Sequence, residues 1–319
     1  MSPIGGFLPL EIGRCGEPHH AGAAALSSGR ACWHLILRSC RPSRVRLPFY
    51  ICDAMLQPLA ATRTPFDFYH LDAGFLPILD SRLSDGELLV VVNYFGMQVL
   101  QVEQQRSMHG HQVVIDDTQG YFRRGVRNAW SFNSARKFFG VPDGAFLYGP
   151  VSGAESLPPS DAADCDHLLT RLAGDDEHAW QQFRNHESRI GIEPRAMSNI
   201  SARLLGAVDW ADARRRRAAN FAALQQRLGR WNTIALPLDD PGDGPMCYPF
   251  LPASAVDRSA LRAAGVFVPV LWPELQSREA AGFEWERDVA ARLLPLPIDH
   301  RYGPSEMQTV ADAVVQVLA

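Results

Sequence analysis

Leu88-Leu89-Val90-Val91-Val92 is an unbroken apolar run that stops at the polar Asn93. A run without alternation has no solvent-facing side. It predicts a strand buried on both faces, the habit of a parallel sheet covered by helices. Val113-Val114-Ile115 repeats the pattern and stops at Asp116-Asp117. Shorter extended segments are expected over residues 44–50, 66–71, 129–133 and 145–148, with helical patterns over 31–40, up to about 61 and up to about 109. Strands alternating with helices predict an α/β fold with a mostly parallel central sheet flanked by helices. Residues 168–186 and 198–231 read as two helices, the second long and apolar on one stripe. Strands at 247–251 and 266–270, an extended stretch at 293–298 and helices at 256–264 and 306–318 read as a smaller C-terminal α/β domain. The expected plan is an N-terminal arm (1–27), a large domain (28–165), linker and interface helices (166–231) and the small domain (232–319).

Open α/β sheets hold ligands at the carboxyl ends of their strands. Asn93 and Asp116-Asp117 mark that edge, and Ser134-Ala135-Arg136-Lys137 follows the next strand. Lys137 is the only lysine in the chain; the other thirty basic residues are arginine. Arginine replaces lysine as a surface cation, but a guanidinium stays protonated and cannot attack a carbonyl. A lone surviving lysine is therefore a candidate for Schiff-base chemistry. An acid at one strand end and a serine and lysine past the next match the needs of a pyridine cofactor: a carboxylate for the ring nitrogen, an amine for the aldehyde and hydroxyls for the phosphate. Ser27-Ser28-Gly29-Arg30 before the first helix suits an N-cap whose free N–H groups could hold that phosphate.

The formal charge of −4 offers no footprint for nucleic acid or an anionic membrane. No apolar run reaches membrane-spanning length, and no secretory leader pattern opens the chain, so a cytoplasmic protein is expected. Six cysteines show no paired or zinc-like spacing. His19-His20 lacks a third ligand, so no metal site is expected.

Taken in order, these motifs resemble the DegT/DnrJ/EryC1/StrS family of sugar aminotransferases, which are pyridoxal-phosphate enzymes of fold type I. Gly5-Gly6 with Pro9-Leu10 resembles the family's opening, and Ser28-Gly29-Arg30 its Ser-Gly-Thr phosphate turn. Asn93-Tyr94-Phe95-Gly96 stands where the family has a His-x-Tyr-Gly loop, and Asp116-Asp117-Thr118-Gln119 resembles its Glu-Asp-Ala-Ala-Gln/His motif. Ser131-Phe132 through Lys137 is similar to its Ser-Phe-x-x-x-Lys, with one extra residue, and Asp143-Gly144 to its Gly-Glu-Gly-Gly turn. Arg195-Ala196-Met197-Ser198, Trp272-Pro273 and Leu294-Pro295-Leu296-Pro297 complete the likeness. Glu193 stands where the family usually has an asparagine, and Cys52 falls at the place of its ring-stacking aromatic.

The resemblance implies a fold-type I pyridoxal-phosphate transferase with residues 28–165 as the cofactor domain. It implies an amino group moved from an amino acid, glutamate by analogy, to a keto-sugar acceptor, nucleotide-linked in many relatives. In that frame Lys137 carries pyridoxal 5'-phosphate and shuttles the proton. Asp116 pairs with the ring nitrogen, and Gln119 lies on the ring-oxygen side. Ser28, Gly29, Arg30, Asn93 and Ser134 complete the cofactor site, while Tyr94, Arg195 and Trp272 face the substrate or the interface of a homodimer. Only one of two adjacent strand residues can aim at the ring. The motif selects Asp116, and a shift of one selects Asp117. Elimination or dehydration on the same scaffold, or a non-catalytic relative, are the alternatives.

Overall fold

The computed structural model describes residues 11–13, 15–160 and 165–318. The Gly5-Gly6 and Pro9-Leu10 motifs lie outside them. The large sheet contains β1 (Ala24–Leu26), β2 (Arg44–Pro48), β3 (Phe66–Leu71), β4 (Pro77–Ile78), β5 (Glu87–Val92), β6 (Val113–Asp117), β7 (Trp130–Asn133) and β8 (Ala145–Tyr148). Their order is β1-β8-β7-β6-β5-β2-β3-β4. The central five, β7-β6-β5-β2-β3, run parallel, while β8 and β4 are antiparallel to their neighbours. β5 and β6 are buried at every position, as their unbroken apolar runs require. The parallel strands all end on one edge, so Asn93, Asp116 and Ser134 emerge side by side.

Helices α1 (Gly29–Cys40), α2 (Leu56–Thr62) and α3 (Val99–His109) connect the strands. α1 packs on β7 and β8, and α3 on β5 and β6. Beyond the sheet lie α4 (Asp166–Leu172), α5 (Asp176–Arg189), α6 (Asn199–Gly206) and α7 (Trp210–Leu228). Two single helices were expected here, and each is broken once. Gly174 at φ +92° ends α4, and Asp175 caps α5 by accepting from the His178 N–H. Asp209 likewise caps α7 through the Asp212 N–H. The helical stripe on either side hides both caps in the sequence.

The C-terminal part holds β9 (Tyr248–Phe250), α8 (Arg258–Ala263), α9 (Glu284–Arg292), β10 (Leu294–Leu296) and α10 (Pro304–Leu318). β9 and β10 form an antiparallel pair. The strand expected over 266–270 is absent: Val268 and Val270 are not fully buried, Phe267 is 71% exposed, and no neighbouring strand supplies a ladder. α7 packs against α10 and β9. One apolar core runs from Val90 and Val114 through Phe221 and Leu224 to Tyr248, Leu296 and Val314. Phe49 at the end of β2 stacks on Phe283 with ring centres 4.3 Å apart, joining the C-terminal part to the sheet edge that bears the site.

The segment before β1 is anchored by its two histidines. His20 meets the Tyr148 hydroxyl through Nδ1 at 2.8 Å and the Asn133 amide through Nε2 at 3.0 Å. His19 meets the Phe122 carbonyl at 3.0 Å and packs on Tyr121 and Trp210. Burial drives the His20 pKa down to about 3, with His19 adding to the effect. A histidine held neutral in the folded state costs nothing above its unfolded pKa of about 6.5. Below that pH the unfolded chain gains a proton that the folded chain refuses. Between pH 7 and pH 4.5 the wild type should therefore lose about 2 kcal/mol of unfolding free energy more than His20→Gln. Urea titrations at both pH values check this; parallel losses in the two proteins would refute it.

Candidate active site

The pleat of β6 sends Asp116 and Asp117 to opposite faces. The Asp117 carboxylate accepts from the Asn93 amide at 2.9 Å and pairs with Arg123, which also pairs with Glu103. Burial pushes the Asp117 carboxyl up to about 6 against the pull of Arg123. Asp117 is thus spent inside the protein. Asp116 is equally buried but, among the described residues, has no side-chain cation bonded to it. Its Oδ1 accepts from the Thr118 N–H at 2.8 Å. Burial raises its carboxyl above the ordinary range, and the positive charge of Lys137 is the largest opposing influence.

Lys137 stands in a tight turn, Ala135–Lys137, directly after β7. Three hydrogen bonds, two of them between backbone groups, fix that turn. The Ala135 N–H donates to the Gly144 carbonyl at 3.0 Å, and the Gly144 N–H to the Ser27 carbonyl at 2.7 Å. The Phe138 carbonyl accepts from Arg217 at 3.3 Å. Gly144 sits at φ +127°, where a side chain would be strained, and a Cβ would press on Met197 at 3.1 Å. The neighbouring Asp143 accepts from the Ser198 N–H at 2.9 Å and its hydroxyl at 2.7 Å, tying the turn to the start of α6. The Lys137 side chain is exposed, and its Nζ donates to Thr118 Oγ1 at 3.1 Å. Cys52, half-buried just past β2, is within electrostatic reach of both Lys137 and Asp116.

The start of α1 closes the third side. Ser28 caps the helix, its Oγ accepting from the Ala31 N–H at 3.1 Å. The Gly29 and Arg30 N–H groups, first in the helix, have no intrahelical acceptor. A Cβ on Gly29 would meet Thr118 Cγ2 at 3.3 Å and the Asn133 carbonyl at 3.6 Å, so this approach admits only glycine without displacement. Ser134 is buried, and its hydroxyl makes no hydrogen bond within the described residues. Arg30 donates to the Ile190 carbonyl at 2.6 Å, and the adjacent Arg136 pairs with Glu187. Burial and then the charge of Arg30 bring Arg136 down to about 10. Two guanidiniums that repel each other beside a helix N-terminus make this corner strongly attractive to an anion.

Three expected contacts are redirected. Asn93 is fully buried, its amide on Asp117 and its oxygen accepting from the Gln98 N–H at 2.9 Å. The Gln119 amide oxygen accepts from the Phe95 N–H at 2.7 Å, holding that residue at φ +59°. Tyr94 does not face a substrate; its phenol donates to the Tyr50 carbonyl at 2.7 Å inside an aromatic cluster with Phe75 and Trp272. The strand-end loop turns so sharply that its polar groups are used to hold it. Trp272 is half-buried against Tyr50, and the exposed Arg195 donates to the Pro159 carbonyl at 3.3 Å. Ser28, Gly29, Arg30, Asp116, Ser134 and Lys137 are the expected residues that the fold brings to one place. Thr118 and Arg136 join them and were not anticipated. Strand alternation could have found Thr118, two residues beyond Asp116.

The fold is similar to that of sugar aminotransferases whose structures are solved. CalS13 from Micromonospora echinospora superimposes with a TM-score of 0.65 at 17% identity over 92% of this chain and 87% of its own. A DegT DnrJ EryC1 StrS aminotransferase from Brucella abortus gives 0.62 at 14% identity, covering 92% and 85%. DesI, solved in the presence of its TDP-sugar product, gives 0.66 at 16% identity, covering 92% and 80%. No protein-family model and no curated protein sequence matches the chain.

The two aspartates should separate in a stability assay. Asp117→Asn leaves Arg123 buried with one carboxylate fewer and should cost about 2–3 kcal/mol. Asp116→Asn removes a desolvated charge and should change stability by less than about 1 kcal/mol. Equal losses in urea unfolding would contradict this division.

Proposed function

We propose that this chain is a pyridoxal-5'-phosphate-dependent aminotransferase. It would take an amino group from an amino acid, glutamate in the first instance, and give it to a keto-sugar, nucleotide-linked by analogy with DesI. The observation that carries the reading is that the only lysine in the chain lies at the same strand edge as a buried carboxylate that has no cationic side-chain bond among the described residues.

The surroundings fit the cofactor. The Gly29 and Arg30 N–H groups, the unbonded Ser134 hydroxyl and the charges of Arg30 and Arg136 suit its phosphate. The bare Cα of Gly29 leaves the approach open. Asp116 would take the ring N–H, and Lys137 Nζ the aldehyde carbon. Pyridoxal phosphate, once bound, supplies an electron sink for the bond broken at the amino acid Cα. The protein's own work is then local. Asp116 keeps the ring nitrogen protonated, α1 fixes the phosphate end, and Lys137 Nζ, once freed, takes the proton from Cα. The exposure of Lys137 and of Arg195 supports a homodimer in which a second copy covers the site.

A half-reaction tests this reading. Purified enzyme loaded with pyridoxal phosphate and given glutamate without acceptor should form one equivalent of 2-oxoglutarate per chain. Lys137→Arg should slow this by about a thousandfold. Ammonia release in place of stoichiometric keto acid would favour elimination, and normal turnover by Lys137→Arg would refute the assignment.

A further inference from the structure

Thr118 stands between the two groups on which the site depends. Its Oγ1 accepts from Lys137 Nζ at 3.1 Å, and its N–H donates to Asp116 Oδ1 at 2.8 Å. Its methyl group faces the start of α1, where a Cβ on Gly29 would meet it at 3.3 Å. A hydroxyl can accept from an amine. Alanine, which stands at this place in the resembled motif, could not.

We propose that Thr118 is a positioning residue for Lys137: its hydroxyl is the docking point of the amine whenever that amine is not covalently engaged, and it holds the amine beside Asp116. The inference deepens the aminotransferase reading and takes from it the premise that Lys137 is the reactive amine. The Lys137–Thr118–Asp116 link itself needs no cofactor. A released lysine on four flexible bonds would otherwise sample the open cleft, and docking keeps it close to the strand edge where the substrate Cα must lie. The titratable groups facing the amine are Asp116 from β6 and Cys52 from the segment after β2.

The single lysine makes the test direct. Full-length protein without cofactor, grown on isotopically labelled lysine, should give one side-chain amine resonance whose exchange with solvent can be followed at fixed pH. Thr118→Val keeps the shape and removes the acceptor, and should speed the exchange of the Lys137 amine by about fivefold. Thr118→Ser should restore it. In the glutamate half-reaction, Thr118→Val should lower the rate at saturating glutamate by about tenfold, with the half-saturating concentration unchanged. A Thr118→Val exchange rate equal to that of the wild type overturns the proposal. So does an equal change in Thr118→Ser, which would trace the effect to packing. A change confined to Thr118→Val, in a protein whose wild type never converts glutamate, would keep the docking role and remove the aminotransferase reading.

Discussion

The alternation of side chains along one buried strand sets up everything else at this site. β6 ends in two aspartates, and the pleat gives them to different faces. Asp117 is consumed by Arg123 and Asn93, a buried network that braces β6 against the loop after β5 and the Glu103 side chain of α3. Asp116 is left among uncharged neighbours, with Lys137 as its main electrostatic counterpart. The pleat separates a structural acid from the one that, on the proposed reading, meets the ring nitrogen.

Around that strand the site is assembled by backbone bonds. Ser27, Gly144 and Ala135 link the start of α1, the turn before β8 and the lysine turn in one chain of hydrogen bonds. Asp143 extends it to α6, and Arg217 reaches the Phe138 carbonyl from α7. Arg217 is almost wholly buried without a bonded carboxylate among the described residues, and burial lowers it to about 10. Such a residue is costly unless its hydrogen bonds matter, and it gives them to the Pro245, Met246 and Phe138 carbonyls. The lysine turn is therefore held by three elements far apart in sequence, while the amine itself is bonded to Thr118.

Much of this was legible in the residues. The unbroken runs Leu88–Val92 and Val113–Ile115 announced central parallel strands because a two-sided burial leaves no other pattern. Lys137 stood out because composition had removed every other lysine. Ser28-Gly29 could be read as a cap because capping is local chemistry. What could not be read was where side chains spend their hydrogen bonds. Asn93, Gln119 and Tyr94 have the right types for a binding loop, yet the sharp turn at Phe95 and Gly96 draws their polar groups inward. Arg136 gains meaning only once α5 brings Glu187 and α1 brings Arg30 to it. The 266–270 segment has strand composition but no partner edge, and pairing is a property of the whole fold.

The central claim is that the chain's one lysine is the attachment point of a pyridoxal cofactor. Incubating the protein with pyridoxal phosphate, reducing with borohydride and mapping the peptides tests it with little ambiguity, because the only other amine is the α-amino group. The account predicts one pyridoxyl group per chain, on the peptide that contains Lys137, with the near-ultraviolet absorption of the reduced adduct. Labelling confined to the N-terminal amine, or none at all in protein that is demonstrably folded, would contradict it.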